Sequence, residues 1–289
     1  MRGRVLAIAG SDSGGGAGIQ ADLKTITALG AYAASAITAI TVQDTRAVHA
    51  VHPVPPALVG AQIACVLADP GADAVKTGML VDEATVREVA ASLSTFPGLP
   101  LVIDPVMVAS SGARLLAEDA LDALRAKLFP LAALVTPNLP EAEILAGFPI
   151  RDRASMERAA LAIGARAVLV KGGHLPGDTV VDVLAADGTI SVFAQPRIPG
   201  PPRHGTGCTL ASAIATGLAQ GMPLLDAVRR ARAYLQAAIA TAPAIGAGAG
   251  PLNHVPEGIC RRGISGDEAS PRYSFAAWSP ALVTALSQK

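Results

Sequence analysis

Alternation limits what this chain can fold into more than any other feature. From Val5 to Thr241, short apolar runs take turns with segments of helical period. Val5–Ala9, Ala36–Val42, Ala74–Lys76, Leu101–Ile103, Ala132–Val135 and Ala167–Val170 have the length and composition of strands. Between them, apolar residues recur at helical spacing in Gly18–Leu29, along Leu58, Val59, Ile63, Val66 and Leu67, and in Asp82–Leu93, Ala117–Leu128 and Ser155–Ile163. Strands that are each followed by a helix predict a mostly parallel sheet covered on both faces. Thr179–Ala185 and Ile190–Ala194 predict a hairpin turning at Asp187-Gly188. Two Ala-rich helices, Thr206–Gln220 and Leu224–Thr241, complete the core. No linker divides the pattern, so residues 1–255 read as one domain. After Pro256 the periodicity decays, and 256–289 read as an appended, unstructured extension with no assigned role.

Composition removes several classes of function. Lys plus Arg number 23 and Asp plus Glu 23, so the basic excess of a nucleic-acid binder is missing. A hydrophobic content of 51% excludes a disordered acidic scaffold. Thr25–Gln43, Gly205–Leu225 and Ala233–Val255 lack charge but are rich in Ala, Thr, Gly and Ser, which insert poorly into bilayers. They read as buried elements of a soluble protein with no membrane partner. Arg2, Arg4 and VLAIAG open like a signal peptide, but Asp12 and the glycines end the apolar run early. Cys65, Cys208 and Cys260 form no CxxC pair and no disulfide framework, which argues against structural zinc. A reducing, cytoplasmic setting is expected.

Several polar motifs follow expected strands, where open α/β sheets bind ligands, and a further one opens a helix. Residues 9–22, AGSDSGGGAGIQAD, place a glycine-rich loop before a helix, suited to an anion or a close-packed ligand. Gly16-Ala17-Gly18-Ile19-Gln20-Ala21 also fits the dinucleotide pattern GxGxxA, with Asp44 as a ribose acceptor, and a merely flexible connection is an equal alternative. Asp104, ending Leu101-Val102-Ile103, suits a magnesium ion or a turn before Pro105. Asn138 and Glu141, in Thr136-Pro137-Asn138-Leu139-Pro140-Glu141, suit a metal–phosphate site or an ordinary helix cap. Lys171 beside Gly172-Gly173 can meet phosphate oxygens or simply be solvated, and His174 reads as a surface loop residue. The segment His204-Gly205-Thr206-Gly207-Cys208-Thr209 opens a helix whose N-terminus can hold an anion. Cys208 lies in its first turn, where the helix field is expected to lower a thiol pKa toward neutrality and suit it to general-base work. Its alternative is a small buried cysteine, and Cys65 and Cys260 are given that reading.

Taken together, AGSDSGGGAGIQADLKT, KTGM, DPVM, TPNLPEAE, VKGGH and HGTGCTLASAIA resemble, in order, the hydroxymethylpyrimidine/phosphomethylpyrimidine kinases of thiamine biosynthesis within the ribokinase-like superfamily. The likeness runs from Val5 to Asn253. It implies a ribokinase-like three-layer α/β/α sandwich with a central, mostly parallel sheet, in a homodimer. It implies ATP as co-substrate with Mg²⁺, and successive phosphorylation of 4-amino-5-hydroxymethyl-2-methylpyrimidine and its monophosphate. Carried onto this chain, the resemblance places Gln43, Asp22, Met79 and Val106 at the pyrimidine and Asp104 and Glu141 near the metal. It places Asn138, Lys171, Gly205, Thr206 and Gly207 at the ATP phosphates. Cys208 stands where many superfamily sugar kinases carry an aspartate base. The family often has Gln-Asn-Thr where this chain has Gln43-Asp44-Thr45, so Asp44 either alters the pocket rim or faces solvent. A pyridoxine or pyridoxal kinase on the same framework is the nearest alternative. An NAD-binding oxidoreductase and a non-catalytic vitamin-precursor sensor are more remote.

Overall fold

The computed structural model describes residues 1–107, 115–117 and 119–256. The expected extension, 256–289, lies outside the described residues apart from Pro256. A single nine-stranded sheet runs through the molecule. Its strands are β1 (Arg4–Asp12), β2 (Tyr32–Gln43), β3 (Val48–Pro53), β4 (Ala74–Thr77), β5 (Leu101–Ile103), β6 (Leu134–Val135), β7 (Ala167–Val170), β8 (Thr179–Ala186) and β9 (Thr189–Pro196). Their order across the sheet is β3-β2-β1-β4-β5-β6-β7-β8-β9. The strands from β2 to β7 pair in parallel, while β3, β8 and β9 add antiparallel edges.

The helices are α1 (Gly18–Ala28), α2 (Pro56–Ala68), α3 (Glu83–Ser94), α4 (Ala120–Ala123), α5 (Leu139–Ala146), α6 (Arg153–Ala162), α7 (Thr206–Ala219) and α8 (Leu224–Ala240). Alternation along β1 sorts the core into two layers. Leu6 and Ile8 join the apolar cluster of α2 to α6, whereas Val5 and Ala7 join that of α1, α7 and α8. The expected three-layer sandwich is thus formed. The uncharged segment Gly205–Leu225 becomes α7, whose residues Thr209–Gly217 are all buried. Its small side chains let α7 pack closely on α8: a Cβ at Gly217 would stand 2.7 Å from the Ala227 Cβ.

The differences from the sequence reading have local causes. β3 was not expected, because His49, His52 and Pro53 break its apolar alternation and an edge strand buries little. β1 runs on to Asp12, so Gly10 and Ser11 belong to the strand rather than to the loop. The helix expected over Ala117–Leu128 starts at Ala120 and passes into a π-helical turn at Leu124–Leu128. The hairpin turn does fall at Asp187-Gly188, both with positive φ, 48° and 75°. Cys65 is exposed on α2, not buried as expected.

The direction of strand succession reverses between β1 and β4: β2 and β3 lie on one side, β4 onward on the other. Such a switch point leaves a crevice at the carboxyl ends of the strands. The loops after β1, β4, β5, β6 and β7 carry the glycine-rich, KTGM, DPVM, TPNLPEAE and VKGGH motifs.

Candidate active site

Asp12 closes β1 and shapes the glycine-rich loop. Its carboxylate accepts hydrogen bonds from the backbone N–H groups of Gly14 (2.8 Å), Gly16 (3.0 Å) and Ala17 (2.8 Å). Gln20, on α1, accepts from Asp12 N at 2.8 Å and donates to Ser11 Oγ at 2.8 Å. The loop is therefore tied down, not a flexible connection. Gly18 has φ +55°, and a Cβ there would lie 2.4 Å from the Gly10 carbonyl oxygen. This glycine of GxGxxA permits α1 to leave the strand end at close range. The proposed ribose acceptor Asp44 is instead a turn residue. It accepts from Arg46 N and Ala47 N, pairs with His49, and is exposed, with those backbone donors holding its pKa down at about 2.

Facing the loop, α7 begins at Gly205 in the left-handed conformation, φ +77°, with no side-chain cap. A Cβ at Gly205 would meet the Gly16 carbonyl oxygen at 2.0 Å, so only glycine allows these two backbones to approach. Gly207 sits over the β5 and β7 ends: its Cβ position is 3.1 Å from Asp104 Oδ2 and 3.2 Å from Lys171 Nζ. Lys171 donates to Asp104 Oδ1 at 2.7 Å. An uncapped helix start, a cation and a carboxylate thus share one small volume. Asn138 and Glu141 form a full capping box on α5, with Asn138 Oδ1 accepting from Glu141 N and Glu141 Oε2 accepting from Asn138 N. The cap reading of this motif therefore holds. Glu141 also accepts from Met107 N with Oε1 at 3.4 Å, and burial first, with the Asp104 charge adding and Lys171 opposing, raises its carboxyl to about 7.

Beneath Cys208 lies a group to which the sequence motifs assign no role. Lys76, from KTGM, is 0% exposed and donates to both oxygens of Asp22 at 2.8 Å. Ser212 donates to Asp22 Oδ1 at 2.7 Å. Burial disfavours the Lys76 ammonium, but Asp22, Cys208 and Asp104 outweigh it and raise its pKa. Asp22, expected at the pyrimidine, is itself 0% exposed and lies under the site, with its carboxylate occupied by Lys76 and Ser212. A lysine inside an apolar strand was the available signal for this pair, since buried lysines are almost always partnered.

The Cys208 expectation is corrected in one respect. Burial pushes the thiol up to about 11, against the favourable charge of Lys76. Desolvation of the thiolate outweighs the helix field, so Cys208 is a protonated thiol near neutrality. The other candidates are spread along the crevice. Met79 packs on Gly10, whose Cβ position is 3.3 Å from Met79 Sδ. Gln43 ends β2 beside the glycine loop, where its carbonyl oxygen accepts from Ser13 Oγ at 3.0 Å. Val106 borders a void of about 10 Å³ with Gly78, Leu80 and Pro105. His174 is exposed, as expected. A broader cleft of about 700 Å³ lies elsewhere, at the amino ends of the strands around Arg4, Asp73 and Phe96. Its polar core is already satisfied by the Arg4–Asp73 pair.

Residues 12–253 match the family model described as phosphomethylpyrimidine kinase. The chain belongs to the phosphomethylpyrimidine kinase family. It is accordingly a kinase, a phosphoryl transferase. It is 52% identical over 255 residues to a hydroxymethylpyrimidine/phosphomethylpyrimidine kinase of Rhizobium meliloti, covering 86% of this chain and 96% of that one. It is 53% identical over 257 residues to the thiamine biosynthesis bifunctional protein ThiED of Geobacter sulfurreducens. That match takes in 88% of this chain but only 52% of the bifunctional protein's length. Among solved structures, the ADP complex of Bacillus subtilis pyridoxal kinase superposes with a TM-score of 0.81 at 36% identity, covering 89% of this chain and 98% of that one. Among the described residues, no helix is long and apolar enough to cross a membrane.

Proposed function

We propose that this member of the phosphomethylpyrimidine kinase family phosphorylates 4-amino-5-hydroxymethyl-2-methylpyrimidine with ATP, then phosphorylates the monophosphate to the diphosphate. The observation that carries the reading is the meeting of the uncapped α7 start with Asp104 and Lys171 around Gly207. Backbone N–H groups at Gly205–Cys208 bind the phosphoryl oxygens as charge redistributes among them. Lys171 supplies a point charge to the nucleotide phosphates. Asn138, by capping α5, keeps Glu141 turned toward Asp104. Gln43 reads the pyrimidine edge through an amide that both donates and accepts. Met79 and Val106 line the ring's pocket, and Asp22 acts from below by holding Lys76 under Cys208. Cys208, through the fraction of its thiol that is ionised, accepts the proton of the attacking hydroxymethyl group in the first step only.

The donor set fits magnesium. Asp104 and Glu141 offer hard oxygens, and burial first, with the Asp104 charge adding to it, raises the Glu141 carboxyl. Among the described residues there is no cluster of three or more metal-binding side chains. Magnesium characteristically rests on one or two carboxylates plus substrate phosphates and water, which is what these residues leave room for. When bound, the ion neutralises charge on the transferring phosphates. Two unpaired cysteines among the described residues, Cys65 and Cys208, support a reducing, cytoplasmic setting.

A homodimer is also proposed. Ile40 and Val42, next to the edge strand β3, are 56% and 54% exposed. Sedimentation velocity should give twice the chain mass, and Ile40→Glu with Val42→Glu should give the monomer. A monomeric parent protein would remove this proposal.

The product-resolved assay tests the main reading. With Mg-ATP and the hydroxymethylpyrimidine, mass analysis should show the monophosphate appearing first and then the diphosphate. Pyridoxal belongs in parallel, because the fold matches a pyridoxal kinase closely. Formation of pyridoxal phosphate alone would move the substrate assignment, and no product from either would overturn the reading.

A further inference from the structure

The loop that follows Lys171 has a sequence suited to mobility. Gly172, Gly173 and Gly177 punctuate residues 172–178. One side chain nevertheless holds most of it. Arg197, just beyond β9, donates from Nε to the Gly177 carbonyl (2.7 Å), from one terminal nitrogen to Gly173 (2.9 Å) and from the other to Leu175 (2.5 Å). The backbone adds a fourth tie, Arg197 N to the Asp178 carbonyl at 2.8 Å. A guanidinium is the one side chain that can present donors to three carbonyls at once from a rigid plane.

The other end of the loop is fixed separately. Asp182, on β8, accepts from Gly172 N with Oδ1 (2.8 Å) and from Arg232 Nε of α8 with Oδ2 (2.8 Å). A Cβ at Gly172 would meet the Val181 carbonyl oxygen at 1.8 Å, so this turn lies flat on β8. Arg197 also begins the stretch 197–204 that leads from β9 into the start of α7. It therefore joins the chain carrying Lys171 to the chain carrying Gly205–Cys208.

We propose that Arg197 is a positioning residue for phosphoryl transfer, acting by clamping the loop 172–178 so that Lys171 and the α7 start are held at one spacing. The inference rests on the proposed kinase reading, in which those two elements bind the nucleotide phosphates. Arg197 is half-buried at the surface and is a member of neither apolar core cluster, so its removal opens no cavity in the core. In Arg197→Ala the three carbonyls are solvated and the glycine-rich loop gains freedom. Each nucleotide-binding event then has to order it again.

The test is steady-state kinetics with ATP and the hydroxymethylpyrimidine varied separately, on full-length wild type, Arg197→Ala and Arg197→Lys, with thermal unfolding alongside. In Arg197→Ala the KM for ATP should rise about tenfold or more, the loss expected for several charge-assisted hydrogen bonds. The KM for the pyrimidine should stay within about twofold, because Gln43 and Met79 lie on other elements. Arg197→Lys should recover only part of the ATP affinity, since an ammonium lacks the planar fork. An ATP KM unchanged in Arg197→Ala, or both KM values rising together, would overturn the clamp. A wild-type protein that phosphorylates no pyrimidine would instead overturn the substrate reading on which the test rests.

Discussion

Replacing Lys76 with methionine is expected to cost about 3–5 kcal/mol of folding stability, the loss typical when one member of a buried ion pair is removed. The Lys76 and Asp22 side chains are both wholly buried, and each Asp22 oxygen lies 2.8 Å from the ammonium. Methionine fills a similar volume, so packing changes little. What changes is that Asp22 keeps its desolvation cost with only Ser212 left to donate to it. Asp22 must then take up a proton or be destabilised. The double variant Asp22→Asn with Lys76→Met should regain most of the loss, since it leaves no buried charge. Urea unfolding of the three proteins measures this. A single variant within about 1 kcal/mol of wild type would show that the pair is not held as ions.

The second large effect concerns Cys208. Cys208→Ala should slow phosphorylation of the hydroxymethyl group by about a hundredfold or more, the usual contribution of a positioned base. Phosphorylation of the monophosphate should change by less than about threefold, because a phosphate monoester has a second pKa near 6 and needs no base at neutral pH. The pH dependence gives an independent sign. A thiol pushed up to about 11 is neutral at pH 7, and its thiolate fraction grows with each unit of rising pH until that value. The first step, followed in single turnover, should therefore accelerate between about pH 7 and 10, while the second stays flat above its own pKa. Cys208→Ala should abolish the rise. Equal loss in both steps, with no change in the pH profile, would leave Cys208 as part of the anion site and not a base.

The two predictions are linked through Lys76. Its ammonium is the positive charge that favours the Cys208 thiolate, while burial opposes it. A chemical role for Cys208 thus depends on a lysine whose position under the thiol only the fold shows.

Much of the fold was legible because its determinants are local and periodic. Val5–Ala9 announced β1, Asp82 the start of α3, and Asp187-Gly188 a hairpin, each through a pattern contained within a few residues. β3 and the π-helical turn at Leu124–Leu128 were not legible, since pairing with β2 and packing against α3 determine them. Among the site residues, Asp104, Lys171 and Gly207 were recognisable from glycines and charges at strand and helix ends. Tertiary structure alone brought them together, with Lys171 Nζ 2.7 Å from Asp104 Oδ1 and little room for a side chain at Gly207 above them, since they stand on three separate elements.

Electrostatics divides the same way. From sequence, Cys208 had a helix start and therefore a lowered pKa; in the fold, burial outweighs the Lys76 charge and reverses the direction. Asp22 read as a pocket residue, but the sheet places Lys76 against it and turns it into a support. By itself the sequence determined most of the order of strands and helices and which residue types stand at the strand ends, because these depend on near neighbours and periodicity, while its ordered motifs carried the family resemblance. The partners of each charge, and hence its protonation, were decided only by the tertiary structure, because Coulomb energy and desolvation depend on distance and burial in space and not on separation along the chain.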